Sequence, residues 1–308
     1  MKKLFFVIMV MLVSVPHSAN AIYYNYSSFI VPGSTSTSAS SISDLGYIVG
    51  RYTISNIDHG FIYNGSTYST FDYPNAQGTT ITGINDKGWL SLVVSGNQVN
   101  YETSYIYNGS NYTSVNYAGS YSTIILDINN AGQAIGYYKN SAYGTLHSFF
   151  WESSVFKEIY YPGSVYTLVY GMNNKGDVVG NYWNGSTYNA FLYSGGKYST
   201  LPNYGDNEMH ASDINDSGLI VGNISSPTMG NHVFLYDGKN YETISNLVNT
   251  NALEINNLGQ VVGLDESHGD QRGFFATPKA STVPEPAVTC LLVSGILSLF
   301  GVRRKIRK

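Results

Sequence analysis

Cysteine is almost absent from this chain: among 308 residues there is one, Cys290. A disulfide within the chain is thereby excluded, as is any zinc site built from several thiolates. Charge is scarce too, since only 12% of residues are Asp, Glu, Lys or Arg, about half the usual ~25%. Gly, Ser, Thr, Asn and 28 Tyr take up the difference, a polar but weakly charged composition suited to an extracellular surface. Away from the two ends there is no cluster of basic residues, so nucleic acid is excluded as a partner; phosphate binding needs grouped Lys or Arg. GxSxG, HExxH and Cys/His metal spacings are all missing, which removes nucleophile-elbow and zincin chemistry. No catalytic residue, metal or cofactor is predicted.

The two ends carry clear local patterns. Met1, Lys2 and Lys3 precede an apolar stretch from Leu4 to Val15, and "SANA" sets the small residues Ala19 and Ala21 at a cleavage position. This order predicts a secretory signal peptide over residues 1–21, cut after Ala21, with passage through the Sec translocon. At the other end, Val283-Pro284-Glu285-Pro286 leads into sixteen uncharged residues, 287–302, and then Arg303, Arg304 and Lys305. As a helix the apolar run spans about 24 Å, enough for a ~30 Å hydrocarbon core with some thinning. The basic end acts as a cytoplasmic stop.

This tail resembles the PEP-CTERM sorting domain of bacterial surface proteins, through the Pro-Glu-Pro, the apolar run and the Arg-rich end in that order. The resemblance covers residues 283–308, preceded by a linker, 278–282. It implies recognition by an exosortase-type membrane protease that cuts near the Pro-Glu-Pro and releases or re-anchors the ectodomain. Membrane attachment through the helix is then transient, and the protein is expected at the cell surface, in the envelope or in the extracellular matrix. Without Lys2, Lys3 and five basic tail residues the 16 basic groups fall to 9, and without Glu285 the 20 acids fall to 19, so the exported domain sits near −10.

Between the ends one phrase recurs: "ISDLGYIVG", "INDKGWLSL", "INNAGQAIG", "MNNKGDVVG", "INDSGLIVG" and "INNLGQVVG". Its glycines, Gly46, Gly88, Gly132, Gly176, Gly218 and Gly259, are 42, 44, 44, 42 and 41 residues apart, a period typical of propellers and solenoids. Each copy reads as a hairpin: a type I turn with Gly at the position of positive φ, then a β-branched strand. An aromatic follows at Phe61, Tyr105, Phe149, Phe191, Phe234 and Phe274, and then a strand led by Tyr or Phe. Four short strands per period are the content of one propeller blade. The N-terminal "YSSFIVP" matches the fourth strand of a blade and the last copy lacks one, so pairing the two closes the circle and removes open sheet edges. The prediction is an all-β, six-bladed β-propeller over residues 22–277, closed by an N-terminal strand; an elongated β-solenoid is the alternative.

The repeats also resemble the HAF repeats of bacterial extracellular proteins, through His59-Gly-Phe61, His147-Ser-Phe149, His232-Val-Phe234 and the "IN..G..VG" phrase. Three blades depart from the pattern at Ser104, Asn189 and Arg272. The resemblance implies export and fold and names no ligand. The recurring histidines read as blade architecture.

Asp127, Asp213 and Glu254 each stand two residues before the repeated Asn. Facing the axis, they could ring the channel and hold a hard cation such as Ca²⁺; the plainer reading is that they bond local backbone amides. The same choice applies to Asp265, Glu266 and Asp270. The Tyr pairs, such as Tyr137-Tyr138 and Tyr160-Tyr161, offer flat faces and hydroxyls to sugars, although adjacent strand residues point to opposite faces. The expected function is a non-catalytic interaction module of an exopolysaccharide-rich envelope or biofilm. The alternatives are a glycan-active lyase or hydrolase, which needs acids gathered in one funnel, and a purely structural assembly unit.

Overall fold

The computed structural model describes residues 23–96, 102–204, 208–226 and 230–279, and all regular structure among them is β-strand. None of the described residues forms a helix long and apolar enough to cross a membrane. The signal peptide with Ala19 and Ala21, the motif Val283 to Pro286, the apolar run 287–302, and Arg303, Arg304 and Lys305 lie outside the described residues.

The strands form six four-stranded sheets arranged as blades. After β1 (Tyr24–Phe29), the first blade is β2 (Ser36–Ile42), β3 (Ile48–Ile54), β4 (Ile57–Tyr63) and β5 (Tyr68–Thr70). The second is β6 (Gly78–Ile84), β7 (Leu90–Ser95), β8 (Glu102–Tyr107) and β9 (Tyr112–Ser114), and the third β10 (Ser122–Ile128), β11 (Ala134–Lys139), β12 (His147–Glu152) and β13 (Val155–Glu158). The fourth holds β14 (Tyr166–Met172), β15 (Val178–Trp183), β16 (Tyr188–Ser194) and β17 (Lys197–Thr200), the fifth β18 (Glu208–Ile214), β19 (Ile220–Ser226), β20 (Gly230–Tyr236) and β21 (Tyr241–Val248). The sixth combines β22 (Thr250–Ile255), β23 (Val261–Asp265) and β24 (Arg272–Pro278) with β1, in the order β1-β24-β23-β22. The first strand therefore supplies the missing outer strand of the last blade, and the ring is complete within Tyr24–Pro278.

Each blade begins with the hairpin that the repeated phrase encodes. In the third, the Gly132 amide donates to the Asn129 carbonyl at 3.0 Å and Gly132 has φ 78°, a conformation that a Cβ would strain. The third strands then place Phe61, Phe149, Phe191, Phe234 and Phe274 at full burial. Each of these rings lies opposite a glycine of the second strand, as in the pairs Gly50↔Phe61 and Gly136↔Phe149. Small size is required there because a Cβ on Gly136 would overlap the Ile124 carbonyl oxygen. The second blade solves the same problem differently, with Leu92 opposite Tyr105; Tyr105 swings out and stacks on Tyr73 at 4.5 Å.

Packing is between blades rather than in one central core, as a radial architecture requires. Val49 and Ile62 of the first blade meet Ile81, Leu90 and Leu92 of the second, and Ile135 and Ile159 of the third meet Val169, Met172 and Phe191 of the fourth. The seam between last and first is equally apolar: Val262 and Phe275 pack with Ala39, Ile42, Ile48 and Phe61. Each fully buried side chain of this size contributes about 1.5–3 kcal/mol, so closure of the ring is driven by burial at its final junction as well as by strand pairing.

Candidate functional site at the central channel

The innermost strands share an irregularity that the repeat does not announce. Register slips between Ala39 and Ser41, Ile81 and Gly83, Ile125 and Asp127, Val169 and Gly171, Ala211 and Asp213, and Ala252 and Glu254. A bulge at the same place in every blade re-aims the following side chain and leaves backbone amides outside the ladder. Of the residues after the bulge, two are glycines, Gly83 and Gly171, one is Ser41, and three are the acids Asp127, Asp213 and Glu254. The structure places all three predicted acids on the channel, where they line the cavities on both sides of its waist.

Their first task is to satisfy those amides. Asp127 accepts from the Ile128 amide at 2.6 Å and from Met172 of the next blade at 2.9 Å. Asp213 Oδ2 accepts from Ile255 of the next blade at 2.9 Å. Glu254 Oε1 accepts from the Ser41 hydroxyl at 2.7 Å and the Ile42 amide at 3.2 Å across the closing seam, and Ser41 Oγ accepts from Ile84 at 3.0 Å. Gly171 leaves room for this arrangement, since a Cβ there would lie 2.5 Å from the Asp213 Cα. Bonding to main-chain amides thus extends from the local turn to the adjoining blade.

Electrostatics set these acids apart. Burial pushes Asp127 up to about 6. Burial, and then repulsion from Asp127, raises Asp213 well above the ordinary range, and Glu254 is raised by burial and by both neighbours. Asp213 is 4% exposed, and the main-chain amides of Ile255 and Ile214 pull its pKa back against these upward pushes. No group of three or more Asp, Glu, His or Cys among the described residues is placed to hold a metal ion.

On one side of the waist the channel narrows to a cavity of about 60 Å³. Its mouth is belted by the residue after each repeated Asn or Ser. Asp44, Asp86, Asn130, Asn174, Asp216 and Asn257 each donate a backbone amide to the side chain of the next member at 2.7–2.8 Å, and Asn257 donates to Asp44 to close the circle. The repeated Asn itself is buried and double-ended. In Asn129, Oδ1 accepts from the Ala131 and Gln133 amides at 3.0 and 3.1 Å, and Nδ2 reaches the Asn173 carbonyl at 3.3 Å. Neither belt was anticipated from the sequence, although the restriction to Asp or Asn after each repeated position was the available signal.

On the other side the channel opens into a cavity of about 450 Å³. Its lining keeps the repeated position but not a residue type: of the residues at the bulge of each blade, Ser40 and Thr82 are small, Leu126 and Leu253 apolar, and Tyr170 aromatic. His210 and Asn223 of the fifth blade, and Asn251 of the sixth, add polar groups that sequence reasoning missed. Burial lowers the His210 pKa, and its Nδ1 accepts from Asn181 Nδ2 at 2.9 Å. The ring is therefore neutral with its proton on Nε2.

The repeated histidines stand away from both cavities. His59 and His147 pair across strands with Tyr52 and Tyr138 and stack on them at 5.4 and 5.0 Å. His59 Nδ1 lies 2.8 Å from Asp72, and His232 pairs with Ile224. The acidic loop is equally occupied: Asp265, fully buried, accepts from Ser267 at 2.6 and 2.9 Å and from the Tyr26 hydroxyl of the first strand, and Asp270 accepts from Arg272 at 2.9 and 3.0 Å.

No protein-family model matches the chain, and no curated protein matches it. Solved structures do. The β-propeller domain of the Trilobed protease from Pyrococcus furiosus, described as having an open velcro topology, is 10% identical with a TM-score of 0.53, over 83% of this chain and 84% of that one. Acylaminoacyl peptidase in complex with a chloromethyl ketone is 8% identical with a TM-score of 0.51, over 80% of this chain and 44% of that one. A mutant Aleuria aurantia lectin in complex with Fucalpha1-6GlcNAc is 11% identical with a TM-score of 0.48, over 81% and 97%. At such identities the likeness is one of fold, and the chain is a six-bladed β-propeller of four-stranded blades.

Proposed function

We propose that this protein is an exported cell-surface or matrix component, a non-catalytic β-propeller that binds exopolysaccharide and is delivered by exosortase-type processing of its C-terminal tail. The signal-peptide pattern ending at Ala21 and the Pro-Glu-Pro, apolar and basic tail support export and sorting. One structural observation carries the non-catalytic reading: the channel acids Asp127, Asp213 and Glu254 are engaged with main-chain amides of adjoining blades. Groups committed in this way hold the ring together and are poorly placed to shuttle protons. The wider cavity remains as the place for a ligand.

A second reading, a glycan-active enzyme, draws on the same cavity, where Tyr170 and the neutral His210 stand beside acids of raised pKa. Unlike groups with shifted pKa values at one mouth are a recurrent mark of active sites. Sorting and location are tested by recovering the protein from its host and determining both termini by mass spectrometry. The proposal expects a first residue at Ile22 and no peptide beyond Arg303; a mature protein that retains the basic tail contradicts processing.

A further inference from the structure

We infer that the wider mouth of the channel binds an N-acetylated sugar residue, with its acetamido group on Asn251 between Leu253 and Leu264 and its ring beside Tyr170 and His210. This rests on the reading of the protein as an exopolysaccharide binder and names the sugar class.

One buried side chain builds the aromatic wall. Asn181, 2% exposed, accepts from the Ala211 amide at 3.2 Å and donates from Nδ2 to His210 Nδ1 at 2.9 Å, which ties the fourth blade to the fifth. It reaches Tyr170 as well: burial raises the Tyr170 pKa, and a hydrogen bond from Asn181 works against that push. Two half-exposed rings of different blades are therefore held by one amide, and a wall positioned in advance loses little freedom when a ligand docks. With Nδ1 an acceptor, the His210 proton sits on Nε2. That donor has no partner among the described residues.

The opposite wall offers an unspent amide in an apolar frame. Two asparagines line the cavity. Asn223 is committed to the sixth blade, since its Nδ2 donates to the Ala252 carbonyl and the Ser212 hydroxyl at 3.0 Å and its Oδ1 accepts from the Ala252 amide at 2.9 Å. Asn251 has no side-chain partner among the described residues. It lies opposite Leu264 in the strand ladder, and Leu253 stands at the bulge two residues on. An acetamido group carries one N–H, one carbonyl and one methyl. The carboxamide of Asn251 supplies an acceptor and a donor for the first two, and the leucines shelter the third from water.

Charge narrows the class further. No Lys or Arg lines the cavity, so an acidic sugar finds no cation there. Asp127, Asp213 and Glu254 on its floor are bonded to main-chain amides and raised above the ordinary range, chiefly by burial. They do not offer the fixed negative charge that a free amine needs. An uncharged sugar remains, and the volume of about 450 Å³ falls within the ~300–1,000 Å³ typical of ligand pockets. A tyrosine face suits the apolar side of its ring.

The test is calorimetric titration of residues 22–282, which carry the whole ring, with the hexamers of N-acetylglucosamine, glucosamine and β-1,4-linked glucose. The N-acetylglucosamine hexamer should bind at least about tenfold more tightly than either of the others, the order of one or two neutral hydrogen bonds. Asn251→Ala should weaken that hexamer about tenfold and bring it level with the glucose hexamer. Tyr170→Ala, at a partly exposed site, should weaken all sugars that bind and keep their order, with an unchanged melting curve. Equal affinity for the three hexamers, no binding of the N-acetylglucosamine hexamer, or an Asn251→Ala variant that melts and binds as the native ring does would overturn the assignment. Co-sedimentation with host exopolysaccharide that persists in Asn251→Ala and Tyr170→Ala would sink this inference and leave the broader reading standing.

Discussion

The hydroxyl of Tyr26 donates to the carboxylate of Asp265, a partner 239 residues away in the chain. Tyr26 lies on the strand that completes the last blade and Asp265 on the second strand of that blade, so a side-chain bond reinforces the ladder that closes the ring. Asn246 adds a second clasp from the fifth blade, donating to the Tyr24 carbonyl at 2.7 Å and accepting from its amide at 3.3 Å.

Tyr26→Phe should therefore lower stability by about 1.5–3 kcal/mol, the range for a hydrogen bond to a charged group. Tyr23→Phe, at a site 63% exposed, should change nothing measurable. Urea denaturation of both variants checks this, and equal midpoints would contradict a latch at Asp265.

The belt of buried Asn has one gap. Asn256 Nδ2 donates to the Ser43 carbonyl at 3.1 Å, but Ser43 is too short to return the bond to Asn85. Ser43→Asn should supply the missing donor to the Asn85 carbonyl and stabilise the ring by about 0.5–1.5 kcal/mol. In contrast, Asn129→Ala leaves two amides and a carbonyl short of partners and should cost about 2–4 kcal/mol. Thermal melts of the two variants should move in opposite directions.

Two kinds of glycine predict two sizes of damage. Gly136→Ala drives a methyl into the Ile124 carbonyl and should prevent folding or cost more than about 3 kcal/mol. Gly46→Ala meets no atom within 4 Å, and its φ of 82° should cost only about 1–2 kcal/mol. Soluble yield and denaturant midpoints separate the two cases.

The acids give stability a window in pH. Asp127 has a folded pKa of about 6, raised by burial, so the native state binds its proton more tightly than the unfolded chain does. Stability from this site falls as pH rises from about 4 to 6 and then levels, by roughly 3 kcal/mol for a shift of this size. Asp265 works the other way: burial pushes it up, but bonds from Ser267 and Tyr26 outweigh this and hold it below the ordinary value. Its contribution is present above the unfolded pKa and is lost as pH falls through the folded one. Melting temperature should therefore peak on the acid side of neutrality, between these limits, and a maximum at pH 7 or above would contradict the assignment for Asp127.

The ring was legible in the sequence because its signals are local and repeated. The turn from Asn129 to Gly132 and the Phe149 position recur with the blade, and the unpaired "YSSFIVP" announced the closure. The channel was legible only in part. Asp127, Asp213 and Glu254 were placed by their offset from the repeated Asn, but their bonding depends on the bulges at Leu126, Ser212 and Leu253, which carry no common residue type. His210 and Tyr170 escaped notice for a related reason. They stand at positions held by other residues in the remaining blades, and only the closed ring brings them to one cavity.

The central claim, that the propeller binds matrix polysaccharide without cutting it, is tested most directly by incubating residues 22–282 with the host's own exopolysaccharide. Co-sedimentation and newly formed chain ends are followed in the same sample. The account predicts binding with no new ends. New reducing ends or unsaturated products would contradict it and assign catalysis to the cavity at Tyr170 and His210.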